Sequence, residues 1–173
     1  MEFRKTRKDD LPEIMPMIHE AQQKFRAQGI SQWVDGYPDA ETISSDVDKG
    51  ESYVLADEKE IVASTVISSR QEVTYRTIHE GEWLSDADYL VVHRLVVKED
   101  RKNERLASLL LQKTEEIAED LSIMSIKIDT HEENLPMQNL LKKNSYEYCG
   151  VIYLEDGSKR LAYEKKRKVE ASV

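Results

Sequence analysis

The residues Lys102-Asn103-Glu104-Arg105-Leu106-Ala107-Ser108 lie between an apolar run, "VVHRLVV", and a leucine-rich run, "LASLLLQK". A tight turn leading into a helix points several backbone N–H groups at one spot, and the helix dipole adds positive potential there. A pyrophosphate fits such a spot. Glycine is favoured in the turn because the backbone must come close to the ligand. Arg105 stands where that glycine would be. Its Cβ could obstruct the anion, or its guanidinium could swing outward and grip a phosphate with two N–H donors. The other reading is a charged, solvated helix start with no ligand.

The loop works only if flanking elements hold it. "YLVVHRLVV", Tyr89 to Val97, is apolar on both faces, which predicts a central strand covered on both sides. A helix beginning near Glu104 carries Leu106, Leu110, Ile117 and Leu121. Upstream, Glu2 to Arg7 reads as a strand anchored by Phe3, and Asp9 or Asp10 as the N-cap of a helix with Pro12 in its first turn. That helix carries Leu11, Ile14, Ile18, Ala21 and Phe25, contains Pro16 and ends at Gly29. "SQWVDGYPD" is a loop, after which Asp39 caps a short helix with Ile43 and Val47, stopped by Gly50. "SYVLAD" and "IVASTVIS" form a hairpin. Residues 69–88 are a polar excursion with some irregular strand. "SIMSIKID" is a further strand, Asn134 caps a helix with Pro136 in its first turn and Leu140 and Leu141 on its buried side, and "YEYCGVIYL" and "RLAYEK" close the chain as strands around "EDGS".

A chain of 173 residues fits one domain, expected over residues 1–165, followed by a basic, solvated tail over 166–173. The net charge of −9 argues against nucleic acid, which wants a basic stripe, and favours a cationic or neutral partner. The single cysteine, Cys149, allows no internal disulfide and suits a reducing compartment. The N-terminus lacks the apolar run of a signal peptide, and no stretch approaches the ~18 apolar residues of a membrane span. The expectation is a cytoplasmic protein with no membrane partner.

This order of elements resembles the GNAT family of acetyl-CoA-dependent N-acyltransferases. The family signature, Gln or Arg, two residues, Gly, one residue, then Gly or Ala, falls without gaps on Lys102, Arg105 and Ala107. "IDTHEENLPMQNLLKKNSYEY" matches the family's second helix motif, with Asn134 on its Asn and Ser145-Tyr146 on its Gly-Phe. The resemblance implies an α+β sandwich: a mixed, mostly antiparallel central sheet flanked by helices. It also implies acetyl-CoA as co-substrate, with no metal. The cofactor would lie against the backbones of Leu95, Val96 and Val97, the loop Lys102 to Ser108, and Asn134.

The implied reaction moves an acetyl group from the thioester directly to an amine, with backbone amides of the central strand stabilising the oxyanion. His93 lies two residues before Leu95, so the two side chains should share a face. An imidazole suits proton removal from an ammonium, and a histidine in the equivalent place is linked to that step in a family member. A histidine satisfied by a neighbouring carbonyl is the other reading. Arg94 should face the opposite way as an ion-pair partner, and His131 is a weaker base candidate. The family's acid is a tyrosine seven residues after the capping Asn, and that position is Leu141. Tyr146, Tyr148, Tyr153 and Cys149 could substitute, with Tyr148 preferred. Alternatively Tyr148 is an aromatic core residue, and a thiolate of pKa near ~8.5 can collect its proton from water.

The acceptor site is expected around Phe25, Trp33, Tyr37 and the segment from Tyr75 to Trp83, with Glu72, Glu80, Glu82 or Asp86 suiting a cationic amine. Trp33 and Trp83 could equally only plug the core. The reading is an N-acetyltransferase acting on an amine, a small molecule in the first instance. A protein- or peptide-directed enzyme and a weakened CoA-binding or interaction module are the alternatives. An exposed edge at the C-terminal hairpin could pair with a second copy as a homodimer.

Overall fold

Alternating and doubly apolar stretches become strands because only a pleated backbone sends successive side chains to opposite layers. The computed structural model describes residues 1–168. In chain order the elements are β1 (Glu2–Lys5), α1 (Leu11–Ala27), α2 (Ala40–Asp48), β2 (Ser52–Asp57), β3 (Glu60–Ser68), β4 (Tyr89–Val97), α3 (Leu106–Asp120), β5 (Ser125–Thr130), α4 (Leu135–Lys143), β6 (Glu147–Tyr153) and β7 (Lys159–Lys166). The sheet has seven strands in the order β1-β2-β3-β4-β5-β7-β6. It is mostly antiparallel, and β4 and β5 run parallel from Tyr89 opposite Ser125 to Val91 opposite Lys127. The fold is therefore the expected mixed sheet flanked by helices. No helix among the described residues is long and apolar enough to cross a membrane.

Two compact units are distinguished. The first comprises Met1–Ser68 and Val92–Lys113. One of its cores joins Ile14, Met17 and Ile18 of α1 and Ile43 of α2 to Val54, Ala56, Ile61 and Val96. The other joins Leu106 and Leu110 of α3 to Leu55, Val62 and Ala63, with Leu95 and Val97 packed against it. This end of β4 is thus apolar toward both layers. Each buried aliphatic side chain contributes about 1.5–3 kcal/mol relative to exposure. Asp39 caps α2 as expected, accepting from Thr42 N at 2.8 Å. The entry to α1 differs from the expected cap. Lys8–Asp10 form a 3-10 turn, and Asp10 turns backward to accept from Arg4 (2.7 and 2.9 Å) and from Arg7 N (2.7 Å). The Arg4 guanidinium holds the Asp10 carboxyl below its ordinary range.

The second unit comprises Ser69–Val91 and the chain from Thr114 onward. Its sheet is overlaid by residues 69–88, which form a 3-10 turn at Val73–Tyr75 and one bridge pair, His79 with Val151, rather than a strand. Polar anchors hold this segment down. The buried Glu164 carboxylate accepts from Leu84 N (2.7 Å), Ser85 Oγ (2.7 Å) and Ser125 Oγ (2.6 Å), and Tyr75 donates its hydroxyl to Asp129 at 2.6 Å. The basic run at the chain end is not simply solvated. Lys165 and Lys166 belong to β7, Lys165 pairs with Glu115 at 2.6 Å, and Arg167 N donates to Met124 O at 2.8 Å, because β7 needs these residues to pair with β5. Residues 169–173 of the expected tail lie outside the described residues.

Gly81 marks where the overlying segment comes closest. A Cβ there would sit 2.0 Å from the Cys149 carbonyl oxygen, and one on Gly150, whose φ is +148°, would sit 2.5 Å from that of His79. Both neighbours are backbone and cannot rotate away. Gly81→Ala should lower unfolding stability by about 2–3 kcal/mol, read as a fall in the urea midpoint. An unchanged midpoint would contradict this docking.

Candidate functional site

The chain leaves β4 at Val97 and makes a 3-10 turn over Glu99–Glu104 before α3 begins. The helix therefore starts two residues later than its leucine spacing suggested. Between turn and helix stands Arg105 with φ 59° and ψ 24°, the left-handed conformation. A reversal from a tight turn into a helix needs such a residue, and glycine adopts it without the steric cost borne by a side chain. Arg105 thus keeps the backbone path that glycine would follow. Buried Leu106 and Leu110 fix the first turns of α3 to the core. The N–H groups of Leu106 and Ala107 precede the first helical bond, from Leu109 N to Arg105 O at 3.0 Å, and point to the anion-attracting end. Ser108 lies in the same turn.

Ion pairs shape the turn. Arg101 binds Asp57 at 2.7 Å, Glu60 at 3.3 Å and Glu104 at 2.5 Å, while Lys98 binds Glu60. Lys102, in the signature's first position, binds Glu99 at 2.5 Å, and Glu99 is also held by Lys24. Lys102 and Arg101 keep the carboxyls of Glu99 and Glu104, respectively, below their ordinary range. Asn103 is exposed. So is Arg105, whose guanidinium makes no ion pair or hydrogen bond among the described residues.

On β4, Arg94 has φ 50°. A left-handed residue interrupts strand alternation, so spacing alone no longer places His93 on the face of Leu95. Leu95 and Val97 pack with the α3 cluster and Val96 with the α1 cluster. Arg94 is the expected ion-pair partner, with Nε and Nη2 each 2.8 Å from a carboxylate oxygen of buried Asp46. His93 is partly exposed, and its carbonyl accepts from Thr65 Oγ1 at 3.1 Å. Trp33 packs against the α1 cluster and meets Phe25 edge-on, so it does cover the core. Tyr37 is half exposed and accepts from Arg94 Nη1 at 2.6 Å.

In the second unit Asn134 caps α4 as expected, accepting from Met137 N at 3.2 Å. Leu141 is fully buried. The acid candidates separate by environment. Tyr146 is buried, and burial drives its phenol far above its ordinary pKa. Burial likewise pushes the Cys149 thiol up to about 11. Tyr153 stands edge-on to His79. Tyr148 is 50% exposed and edge-on to Tyr163, so it is not a core residue; it lies in β6, an edge strand of the sheet. His131 accepts from Glu133 N at 3.1 Å, and burial lowers its pKa.

The aromatic lining expected from Tyr75 to Trp83 is already engaged. Tyr75 is buried, Trp83 Nε1 donates to Tyr75 O at 2.8 Å, and the faces of Trp83 and Tyr89 hold the ammonium of Lys127 at 4.3 and 4.2 Å. The cation served by these rings is the protein's own, and burial lowers its pKa. Sequence reasoning missed Asp46, Lys127 and Glu164. Asp46 left a signal, since it follows Ile43 by three residues and so shares the buried face of α2. Lys127 and Glu164 left a weaker one, as polar residues among apolar strand neighbours.

The sequence matches the Acetyltransferase (GNAT) family over residues 15–146. Among solved structures, an acetyltransferase of the GNAT family from Streptococcus agalactiae is 32% identical, covering 97% of this chain and 96% of its own, with a TM-score of 0.87. One of the GNAT family from Listeria monocytogenes is 17% identical, covering 96% and 94%, with a TM-score of 0.73. A PaiA N-acetyltransferase from Thermoplasma acidophilum, solved in complex with coenzyme A, is 15% identical, covering 96% and 98%, with a TM-score of 0.71. A comparison with curated protein sequences finds no match. The family match across most of the chain, together with a relative close in both sequence and structure, establishes that this protein belongs to the GNAT family of acetyltransferases.

Proposed function

We propose that the protein moves the acetyl group of acetyl-CoA directly to the amine of a small molecule. The observation that carries this reading is the passage from β4 into α3, where Arg105 adopts the left-handed turn directly before the helix's first N–H groups and its guanidinium makes no ion pair or hydrogen bond among the described residues. The neighbouring cations are neutralised by carboxylates, so Arg105 is the group in this turn suited to meet a phosphate as a forked donor. The loop of Lys102, Asn103, Glu104 and Arg105 would cradle the pyrophosphate through its backbone, with the Arg105 guanidinium as the side-chain donor and the amides of Leu106, Ala107 and Ser108 beside it. The backbones of Leu95, Val96 and Val97, and Asn134, would hold the pantetheine arm. The similar Thermoplasma acidophilum protein, solved with coenzyme A, supports a CoA thioester as donor.

Bound acetyl-CoA supplies the acetyl group as an activated thioester. His93 takes the proton from the incoming amine, and β4 amides stabilise the charge that develops on the carbonyl oxygen. Tyr148, the solvent-facing tyrosine closest in sequence to the vacant acid position, would donate a proton to the thiolate that leaves when the thioester C–S bond breaks. A cytoplasmic setting suits the lone, unbridged Cys149.

Arg105→Gly separates strain from binding. Relief of the left-handed conformation should raise the unfolding free energy by about 0.5–1 kcal/mol, read as a higher urea midpoint. Loss of the guanidinium should weaken acetyl-CoA binding in a calorimetric titration roughly fivefold, about 1 kcal/mol. Tighter binding would instead mean that the side chain obstructs the site. If the wild-type protein gave no binding up to millimolar acetyl-CoA, the transferase reading would be lost.

His93→Ala should lower kcat about 100-fold while leaving acetyl-CoA affinity nearly intact. An unchanged kcat would remove His93 from the reaction.

A further inference from the structure

We propose that the protein carries a second ligand site, a groove along the outer face of α1 that binds an aliphatic diammonium ion. The site does not rest on the acetyl-transfer reading, since none of the residues named for that reaction takes part in it.

The groove lies wholly within the first unit, between α1 and the turn that joins β2 to β3, and has a volume of about 580 Å³. That is the size of a small-molecule site. Residues three, four and seven apart share one helix face, and Pro12, Glu13, Pro16, Met17 and Glu20 form such a stripe. The floor is apolar. Met17 and Ile61 are 4% and 3% exposed and belong to the core beneath, so packing fixes their place. Pro12 and Pro16 add exposed apolar surface beside them. Pro16 is also unfavourable inside a helix, because it has no N–H to give to the Pro12 carbonyl. That carbonyl is left on the groove stripe without its helical donor.

Carboxylates stand at both ends of this floor. Glu13 uses Oε2 to accept from Ile61 N at 2.9 Å, and its other oxygen takes no donor among the described residues. Glu20 makes no ion pair or hydrogen bond among them, and Lys24, one turn on, is held by Glu99 instead. The third acid of the groove, Glu60, is occupied by Lys98 and Arg101. Two carboxylates with unengaged oxygens therefore lie seven residues apart on one face, about 10 Å along the helix, with hydrocarbon between them. A single ammonium would satisfy one end only. A methylene chain with an ammonium at each end matches both carboxylates and the floor, and the Pro12 carbonyl adds a neutral acceptor. An anion would be repelled from both ends, and an uncharged apolar ligand would leave both carboxylates without a donor.

The test is a calorimetric titration with octane-1,8-diamine in the absence of acetyl-CoA, with octylamine and ethane-1,2-diamine as controls. Saturable one-to-one binding below about 1 mM is expected, roughly tenfold or more tighter than either control. Glu13→Gln keeps an acceptor for Ile61 N, and Glu20→Gln changes an exposed helix residue, so both variants should fold. Each should weaken diamine binding about fivefold. Amide NMR of the wild type needs no variant, and shifts on adding the diamine should centre on residues 12–23 and 60–61. No saturation up to about 10 mM, equal affinity for octylamine, or unchanged affinity in both variants would overturn the site. Shifts centred elsewhere would also overturn it, and would mean that the diamine binds as an acceptor for transfer or at another surface. None of these outcomes decides acetyl-CoA binding, which the titration of the wild type with that cofactor measures separately.

Discussion

The structure depends on one strand being covered on both faces. In the first unit, Val96 is taken up by the α1 and α2 layer, while Leu95 and Val97 are taken up by the α3 layer. Side chains occupied in this way are committed to packing, and what remains for a ligand is backbone. This explains why the candidate cofactor residues of the strand are unremarkable aliphatics and why the chemistry-bearing types gather where the packing is interrupted. His93 and Arg94 lie at such an interruption, marked by the left-handed φ of Arg94.

The interruption and the loop share a physical logic. At Arg94 and at Arg105 an arginine occupies a backbone conformation that favours glycine, 50° and 59° in φ. The surroundings differ. Arg94 is forked onto a buried carboxylate, which stabilises the strained residue through its side chain. Arg105 is exposed, and its strain is offset by the chain around it: the ion-paired turn on one side and the buried leucines of α3 on the other. A net charge of −9 conceals this arrangement, because within the turn acids and bases are paired one against another.

Polar burial organises the second unit as well. Glu164 accepts three hydrogen bonds, two of them from Leu84 and Ser85 of the overlying segment, and the aromatic faces of that region enclose Lys127. A carboxylate without those donors would carry the full cost of desolvation, so segment and sheet specify each other. The same contacts withdraw Tyr75 and Trp83 from the role of lining an acceptor.

By itself the sequence determined the order of elements, the hairpins, the caps at Asp39 and Asn134, the central place of β4 and the loop after it. Each is written in local terms that survive without tertiary context: period-two and helical apolar spacing, a side-chain oxygen ahead of a helix, a charged turn between two apolar runs. Tertiary structure alone decided where α3 begins, which tyrosine is exposed, and how Asp46, Lys127 and Glu164 are used. It also turned Asp10 back onto Arg4 rather than forward onto α1. The reason is that a side chain's exposure, and whether a buried charge finds a partner, depend on residues far away in sequence. Asp46 lies 48 residues from Arg94, and Glu164 lies 80 from Leu84. No local pattern specifies a hydrogen bond across such a distance; it forms only when the sheet brings the two together.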